Sequence, residues 1–516
     1  MKKNIFRILS AAVAVTLVAA CDLNLAPIDA VSYSEGDVLI QTKTNLTAME
    51  NGILASFRSI QNGDHVLPQE FMFDAFNATI DFGNNYGPIH KTDQNFTSSD
   101  YDVQAYWAHH YFAIKDFNIM ISAAETVPED LVEAVKPVKG AAHFFRAYAY
   151  LNLARQFGKA YSSSASTDLC VPLVLAYNPS ERPSRATVAE IYAQIKSDLD
   201  EAASLLSGVK GAALSKKPTI DAVNALYARY YLDIKDYANA ASYAHKVIDG
   251  GTYKLAKTVE EMNADFIEDK GTEAIMQLPM SKTEGSSYHS DDYKYAGEIA
   301  YSFSFAPWLE ATSDTNVEGG EVFRPYYLPT KALVDSYSNN DIRKACWLDN
   351  EMPVLFSGRY YTGAFYTFVK FRGNPDLTTS PIRNARQAPK PFKISEMYLI
   401  AAEAELSTDV AAAKKDLNAL QTARGAVATE ATEATVQQEW FKETVGEGFR
   451  MSCLKRWGKG FSGRAPQAGA ENVVQQGQYF TEKVFDANSY FFQWPIPSHE
   501  LKVNKNLVQN PGYDSL

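Results

Sequence analysis

The amino-acid sequence predicts a mainly α-helical fold, in which paired helices form a scaffold and a large irregular half is rich in loops. Several segments repeat apolar residues with the 3.6-residue period of an amphipathic helix, and two of them divide into helix pairs. Between the helical blocks, residues 71–100 and 281–391 show no such period, and the second stretch is rich in Gly, Pro and aromatic residues. Loops of this length inside a compact domain usually carry function.

Composition limits the class of protein. The chain has 516 residues, enough for a large core, and its aromatic fraction is 12%. Its formal net charge of -12 argues against a nucleic-acid partner, because binding phosphates requires clustered Lys and Arg. Four cysteines occur without a C-x-x-C pair, so no metal knuckle is indicated. We expect Cys170, Cys346 and Cys453 to be buried apolar residues.

The N-terminus reads as a lipoprotein signal. Residues 1–20 place three basic residues ahead of an apolar stretch that is too short to span a bilayer comfortably, which is typical of a signal peptide. Small residues then precede Cys21, and this pattern resembles a bacterial lipobox, in which the cysteine is acylated. Acyl chains on Cys21 would anchor the protein stably to a membrane. We interpret residues 21–43 as the acylated cysteine and a tether.

Single amphipathic helices are predicted next along the chain. Their ranges are 44–60, 102–126, 139–157 and 187–206. Thr187 and Glu190 form a capping-box pattern at the start of the last one. Asp198 and Asp200 are predicted to lie off its apolar face and to be solvated.

Two further segments predict antiparallel helix pairs. Residues 218–251 place small residues where two helices would cross, with Asp236 at the start of the second helix. Residues 392–424 repeat the arrangement, with Asp409 near the second N-cap. The length and the alanine placement resemble a tetratricopeptide repeat. Because the two pairs are not contiguous in sequence, a plain solenoid is not predicted.

Five regions together resemble the SusD/RagB family of outer-membrane lipoproteins, in the order that the family shows. They are the lipobox Cys21; GAAHFFRAYAYLNLARQFG at 140–158 with CVPLVL at 170–175 and RATVAEIYAQIKSDLDEA at 185–202; the helix pair at 222–253; EWFKETVGEGFRMSCLKRWG at 439–458; and WPIPSHELKVNKNLVQNPGY at 494–513. The fourth region departs from the family pattern at Trp440, Thr444 and Cys453. We interpret its matching residues as scaffold, held by buried ion pairs and packing. These are Glu447, Gly448, Arg450, Leu454, Arg456 and Trp457.

This resemblance implies a fold and a role. Residues 44–516 would form a single SusD-like domain, with the helical scaffold mainly at 44–280 and 392–460. Residues 281–391 would be a loop-rich insertion, and residues 461–516 a C-terminal segment. Family members sit on the outer face of the outer membrane, bind glycans, and deliver them to a TonB-dependent transporter resembling SusC. Two alternatives remain open: capture of peptides, as in the RagB branch, and a tetratricopeptide scaffold that binds no ligand.

Two loop regions supply candidate ligand residues. Recognition of sugars needs flat aromatic faces together with polar groups for the hydroxyls. Residues 81–96 offer Asn84, Asn85 and Tyr86 in a Gly-rich loop. Residues 286–308 offer a second, more aromatic set. Its members are Tyr288, Asp291, Tyr293, Tyr295 and Trp308.

Signatures of an enzyme are missing from the sequence. There is no G-x-S-x-G elbow and no phosphate-binding G-x-x-x-x-G-K-[ST] loop, and no G-x-G-x-x-G run stands between a predicted strand and a predicted helix, as dinucleotide binding requires. His109 and His110 lack an H-E-x-x-H partner, and Trp107 lies at helical packing spacing to Tyr111. We therefore predict a binding protein with no catalytic residue, cofactor or metal, and we expect Trp107 in the core.

Overall fold

A computed structural model describes residues 38–61, 63–282, 307–308, 322–377 and 387–514. The predicted signal peptide, Cys21 and the predicted tether up to residue 37 lie outside this range. No helix in the described ranges combines the length and the apolar character needed to cross a membrane.

Helices form most of the regular structure, as the sequence predicts. Those before the irregular half are α1 (Lys43–Ser59), α2 (Gly63–Phe71), α3 (Gly87–Lys91), α4 (Tyr101–Ala123), α5 (Val132–Phe157), α6 (Val188–Leu205), α7 (Ile220–Asp233), α8 (Tyr237–Ile248) and α9 (Val259–Phe266). Those that follow are α10 (Lys331–Ser336), α11 (Ile342–Trp347), α12 (Ile394–Glu405), α13 (Val410–Ala423), α14 (Glu433–Glu443), α15 (Arg450–Trp457) and α16 (Ser498–Val503). In the described ranges, short 3₁₀ helices occupy Glu129–Leu131, Pro375–Leu377 and Tyr490–Phe492.

The helix starts agree with the predicted capping residues. The Thr187 hydroxyl accepts from the backbone N–H of Glu190, and the Glu190 carboxylate accepts from that of Thr187, which completes the capping box. Asp236 caps α8 and Asp409 caps α13 through their side chains. Each cap satisfies backbone donors that have no partner within the helix.

Helix α5 begins earlier than predicted. It starts at Val132 rather than at residue 139, and it contains Pro137. Proline usually ends a helix, because it lacks an N–H and clashes with the preceding turn. Here Pro137 lies near the N-terminal end of a long buried helix, and the packing of that helix overrides the local preference.

The helical scaffold surrounds α5, whose second half is buried on nearly all sides. Helix α5 packs against α4 and α6, α8 packs against α7 and α12, and α12 packs against α13. Trp107 is buried in this core with its ring 4.9 Å from that of Tyr111, which confirms the predicted packing role.

The prediction of a solvated Asp198 was wrong. Asp198 is only 1% exposed and accepts from the Arg146 guanidinium at 2.6 Å and from His143 at 2.7 Å. It follows Ile191 by seven residues, which places both on the same face of α6. Asp200 is more exposed and pairs with Lys196.

Short strands build the irregular half and tie it to the scaffold. They are β1 (Phe76–Ala78), β2 (Leu169–Pro172), β3 (Arg185–Thr187), β4 (Ala274–Met276), β5 (Pro307–Trp308), β6 (Val322–Phe323), β7 (Tyr327–Pro329), β8 (Leu348–Asp349), β9 (Val354–Phe356), β10 (Arg359–Tyr361), β11 (Thr367–Phe368), β12 (Phe392–Lys393), β13 (Phe461–Ser462) and β14 (Val484–Phe485). Within residues 365–372, only Thr367 and Phe368 form a strand, β11. The described strands form one four-stranded sheet, in the order β10-β9-β6-β5, and five two-stranded pairs.

The irregular half has its own apolar core. Phe71 stacks on Tyr327 at 3.8 Å, and Trp347 packs edge-on against Phe266. The core also includes Leu328, which is fully buried. This second core explains how a half with few regular elements keeps a defined shape.

Buried ion pairs join the two halves. Arg424, at the end of α13, pairs with Glu273 before β4 and with Glu443 of α14. Arg343 of α11 pairs with Glu443 and with Glu439. Burial alone would raise the pKa of Glu443, but the two guanidinium groups hold it well below its usual range. Such a network is costly to break, because removing one member leaves a buried charge unpaired.

Residues 439–458, which depart from the family pattern at three positions, are part of the buried scaffold. Trp440 is buried against Phe449, and Cys453 is a buried free thiol, as are Cys170 and Cys346. Arg456 pairs with Glu403 of α12. The predicted burial of the three cysteines is thereby confirmed.

Candidate functional site

Strand pairing holds the first candidate loop, residues 81–96, close to strand β7. Strand β1 pairs antiparallel with β7, and the loop that follows β1 begins at Thr79. The Thr79 N–H donates to the carbonyl of Tyr326 at 2.8 Å. The Tyr327 hydroxyl donates to the carbonyl of Asn85 at 2.6 Å. The loop is therefore fixed at both ends, close to strand β7.

A β-hairpin closes on the same loop. The backbone N–H of Ser357 donates to Asp81 at 2.6 Å, and the Ser357 hydroxyl donates to the other oxygen of that carboxylate at 3.1 Å. Ser357 and Gly358 form the turn between β9 and β10, with φ of 47° and 80°. Positive φ at both central residues is typical of a tight type I′ hairpin turn. Asp81 thus fixes the tip of the hairpin against the first loop.

The second candidate region, residues 286–308, is connected to the hairpin through the four-stranded sheet. Strand β5, which contains Trp308, pairs antiparallel with β6. Strand β6 in turn pairs with β9 of the hairpin. Three segments that are far apart in sequence therefore meet in one part of the molecule: the loop at 79–86, the strand at 307–308 and the hairpin at 354–361.

A cleft of about 400 Å³ opens where the loop meets the hairpin. Its described lining residues are Asp81, Arg324, Leu355, Ser357, Gly358 and Tyr360. Together they present an aromatic ring, a carboxylate, a guanidinium and a hydroxyl. Beside the cleft, the Arg359 guanidinium lies 5.2 Å from the centre of the Tyr361 ring.

The structure places the three candidates of the first loop beside the cleft and not in its lining. Asn84 and Asn85 are exposed, and the Asn85 amide donates to the carbonyl of Phe82 at 2.7 Å. Tyr86 is half-buried, with its ring 5.3 Å from that of Phe71. Asn84 and Tyr86 both have positive φ, so the loop turns sharply here. Contact of these residues with a ligand stays a prediction.

Four of the five candidates in the second region lie outside the described residues. These are Tyr288, Asp291, Tyr293 and Tyr295. For Trp308 the backbone is described, and it lies in the sheet that carries the hairpin. Their role in binding therefore also stays a prediction.

We did not predict Arg324, Ser357 and Tyr360 from the sequence as candidate ligand residues. They lie inside the stretch that the sequence identified as a loop-rich insertion, but none was singled out. A signal for the hairpin was present, because a Ser-Gly pair stands between two short runs of apolar and aromatic residues. No signal in the sequence indicated that Asp81 would hold that turn.

A second cavity of about 100 Å³ lies between the scaffold and the irregular half. Its charged lining groups pair with one another or with neighbours: Arg229 with Glu396, and Lys393 with Glu447. Buried side-chain atoms of Gln61, His65 and Gln387 have no hydrogen-bond partner in the described protein. Since one water takes up roughly 30 Å³, this cavity suits a few ordered waters better than a glycan.

Two family models match the chain. One, described as "Starch-binding associating with outer membrane", matches residues 28–232. The other, described as "SusD family", matches residues 357–513 and so includes the turn of the hairpin.

Two curated proteins are similar to this chain over most of their length. "SusD-like protein P2" of Formosa agariphila is 25% identical and aligns with 99% of this chain and 100% of its own. "Starch-binding protein SusD" of Bacteroides thetaiotaomicron is 24% identical, and the alignment covers 72% of each chain.

Solved structures share the fold. A SusD superfamily protein from Bacteroides thetaiotaomicron superposes with a TM-score of 0.73 at 22% identity, covering 90% of this chain and 99% of that one. A laminarin-binding SusD-like protein superposes with a TM-score of 0.67 at 21% identity, covering 92% of this chain and 100% of that one.

Proposed function

The chain belongs to the SusD/RagB family, and on that premise we propose that it is a lipid-anchored protein of the outer membrane that captures a glycan. The bound oligo- or polysaccharide would pass to a TonB-dependent transporter resembling SusC. The names of two similar proteins support a glycan ligand, since one binds starch and the other laminarin. The cleft between the Asp81 loop and the hairpin is the observation that carries the proposal for this chain.

The chemistry of the cleft suits a sugar. The Tyr360 ring offers a flat apolar face for the C–H side of a pyranose. The Asp81 carboxylate accepts hydrogen bonds from hydroxyls, and the Arg324 guanidinium donates them. The volume of about 400 Å³ falls within the range of roughly 300–1,000 Å³ that is usual for small-ligand sites. A cleft of this size accommodates a short part of a longer chain.

Binding without cleavage is the activity that the cleft supports. Glycoside hydrolysis generally requires two carboxyl groups on either side of the scissile bond. Among the described residues that line the cleft, Asp81 is the one acidic residue, and both of its oxygens accept from Ser357. Asp81 therefore acts as a structural support and a hydrogen-bond acceptor.

The experiment is an affinity screen with the soluble chain that starts after Cys21. Starch, laminarin and other plant, host and microbial polysaccharides are tested by calorimetry, and the length of each glycan is checked afterwards. We expect saturable binding to one glycan class with no shortening. Tyr360→Ala removes the stacking face and should weaken binding at least tenfold, which is about 1.4 kcal/mol.

A matched variant controls for the loss of a tyrosine. Tyr101 is 78% exposed and does not line the cleft, so Tyr101→Ala should bind as the wild type does. Wild-type affinity in Tyr360→Ala would place the site elsewhere. Shortening of the glycan would refute the binding-only proposal.

Peptide capture is the second candidate function. The net charge of -12 favours basic peptides, since opposite charges attract the ligand to the surface. Basic and acidic peptides of equal length form a separate arm of the same screen. Tight binding of basic peptides with no glycan binding would replace the first proposal by the second.

A further inference from the structure

A histidine and two carboxylates from three different helices meet on the scaffold. His245 lies on α8, Glu405 is the last residue of α12, and Asp416 lies on α13. The His245 Nε2 atom is 2.9 Å from Glu405 Oε1 and 3.3 Å from Asp416 Oδ2. One potential ligand atom of each residue lies within 4.8 Å of the other two.

Both carboxylates are buried and incompletely satisfied. Glu405 is 9% exposed and Asp416 is 3% exposed. Glu405 Oε2 and Asp416 Oδ2 accept no hydrogen bond from any described residue. The imidazole nitrogen is close to Asp416 Oδ2, but the contact lacks the geometry of a hydrogen bond. A buried carboxylate oxygen without a partner is costly, so a cation bound between the two side chains would explain this arrangement.

The charges around the cluster also favour a cation. Within the described ranges, neither Glu405 nor Asp416 forms a salt bridge with a lysine or an arginine. Among the described residues, His245 is therefore the only cationic group that pairs with these two carboxylates. A divalent ion would neutralise both carboxylates and leave His245 as a neutral nitrogen ligand.

We propose that His245, Glu405 and Asp416 form a binding site for a divalent transition-metal ion. Zn²⁺ is the ion that this set of ligands suits best. One imidazole nitrogen and two carboxylate oxygens are usual zinc ligands, at roughly 2.0–2.2 Å from the metal. A fourth position remains for water, because His245 is partly exposed. Calcium fits less well, since it prefers six to eight oxygen ligands.

Such an ion would join the two helix pairs of the scaffold. His245 belongs to the pair α7–α8, and the two carboxylates belong to the pair α12–α13. The ligands are far apart in sequence, so the metal would add a further link between two helix pairs that the buried Arg229–Glu396 ion pair already joins. It lies on the scaffold rather than at the cleft, so the inference does not depend on glycan binding.

The test measures zinc binding to the soluble chain after treatment with a chelator and desalting. Calorimetry and elemental analysis should give one Zn²⁺ per chain with a dissociation constant of micromolar or tighter, and the melting temperature should rise. Ca²⁺ in the same experiment should bind at least tenfold more weakly. Absence of saturable one-to-one binding would overturn the proposal, and the cluster would then be an ion pair between a charged histidine and two carboxylates.

Variants assign the ion to these residues. His245→Gln and Asp416→Asn should each weaken zinc binding at least tenfold, whereas His499→Gln, at an exposed histidine, should not. Unchanged affinity in both cluster variants would place the zinc elsewhere and refute the site. If circular dichroism shows that the variants do not fold, the wild type is loaded with Co²⁺. Its visible spectrum should then show a four- or five-coordinate site of nitrogen and oxygen ligands, and a six-coordinate spectrum would refute the proposal.

Discussion

At the scale of single residues, burial gives Glu70 an unusual titration. Its side chain is 2% exposed, and one oxygen accepts from the backbone N–H of Gly448 at 2.8 Å. Burial raises the pKa of Glu70 to about 7, although the N–H groups of Gly446 and Gly448 and the charge of Arg450 act in the opposite direction. Between about pH 4.5 and pH 7, the folded protein therefore keeps a proton on Glu70 that the unfolded chain has lost.

Because the pKa of Glu70 differs between the folded and unfolded states, the free energy of unfolding depends on pH. A raised carboxyl pKa stabilises the folded state below the unfolded pKa of 4.5, and this stabilisation is lost as the pH rises to about 7. Glu70→Gln cannot ionise, so its free energy of unfolding should increase relative to that of the wild type over this interval. The relative change should reach at most about 3 kcal/mol. Urea unfolding at several pH values measures it.

A control separates this effect from the loss of one negative charge. The Glu133 side chain is 82% exposed, so Glu133→Gln removes the same charge from the surface. A constant difference between wild type and Glu70→Gln from pH 4.5 to pH 7 would contradict the prediction.

At the scale of elements, the hairpin depends on a turn with left-handed backbone. Gly358 has φ of 80°, and an added Cβ would meet no atom within 4 Å. Gly358→Ala should therefore destabilise the protein by about 1–2 kcal/mol through backbone strain alone. Because this turn borders the cleft, glycan affinity should fall as well. Urea unfolding and calorimetry measure the two effects.

For a glycine inside a helix, we expect a substitution by alanine to have the opposite effect on stability. Gly52 lies in α1, also with nothing within 4 Å of an added Cβ. Gly52→Ala should stabilise the protein by roughly 0.5–1 kcal/mol, because alanine favours the helix, and should leave affinity unchanged. The same sign of change in both variants would refute the assignment of strain to the turn.

The helices were largely predictable from local sequence, because their apolar period and caps are local signals. Thr187, Asp236 and Asp409 lie at the predicted helix starts. The start of α5 was not predictable, because long-range packing overrides the effect of Pro137. Asp198 was misjudged for a related reason: its partners Arg146 and His143 come from another helix.

At the scale of the whole molecule, the proposed anchor determines where the protein works. Cys21→Ala removes the thiol that would be acylated, so the protein should leave the outer-membrane fraction. Ser32→Ala in the same N-terminal stretch should leave the distribution unchanged. Cell fractionation measures this, and protease treatment of intact cells tests surface exposure. Retention of Cys21→Ala in the outer membrane would contradict a lipid anchor at this residue.

The sequence alone determined that this chain is mainly helical, which family it resembles, and which broad regions were candidates for binding. These properties depend on local periodicity, capping residues and short motifs, all of which can be read along one chain. The tertiary structure decided that Asp81, Arg324 and Tyr360 share one cleft, and that His245, Glu405 and Asp416 meet across three helices. Sites of this kind are built from residues that only long-range packing brings together, so their spacing in the sequence has no regular pattern.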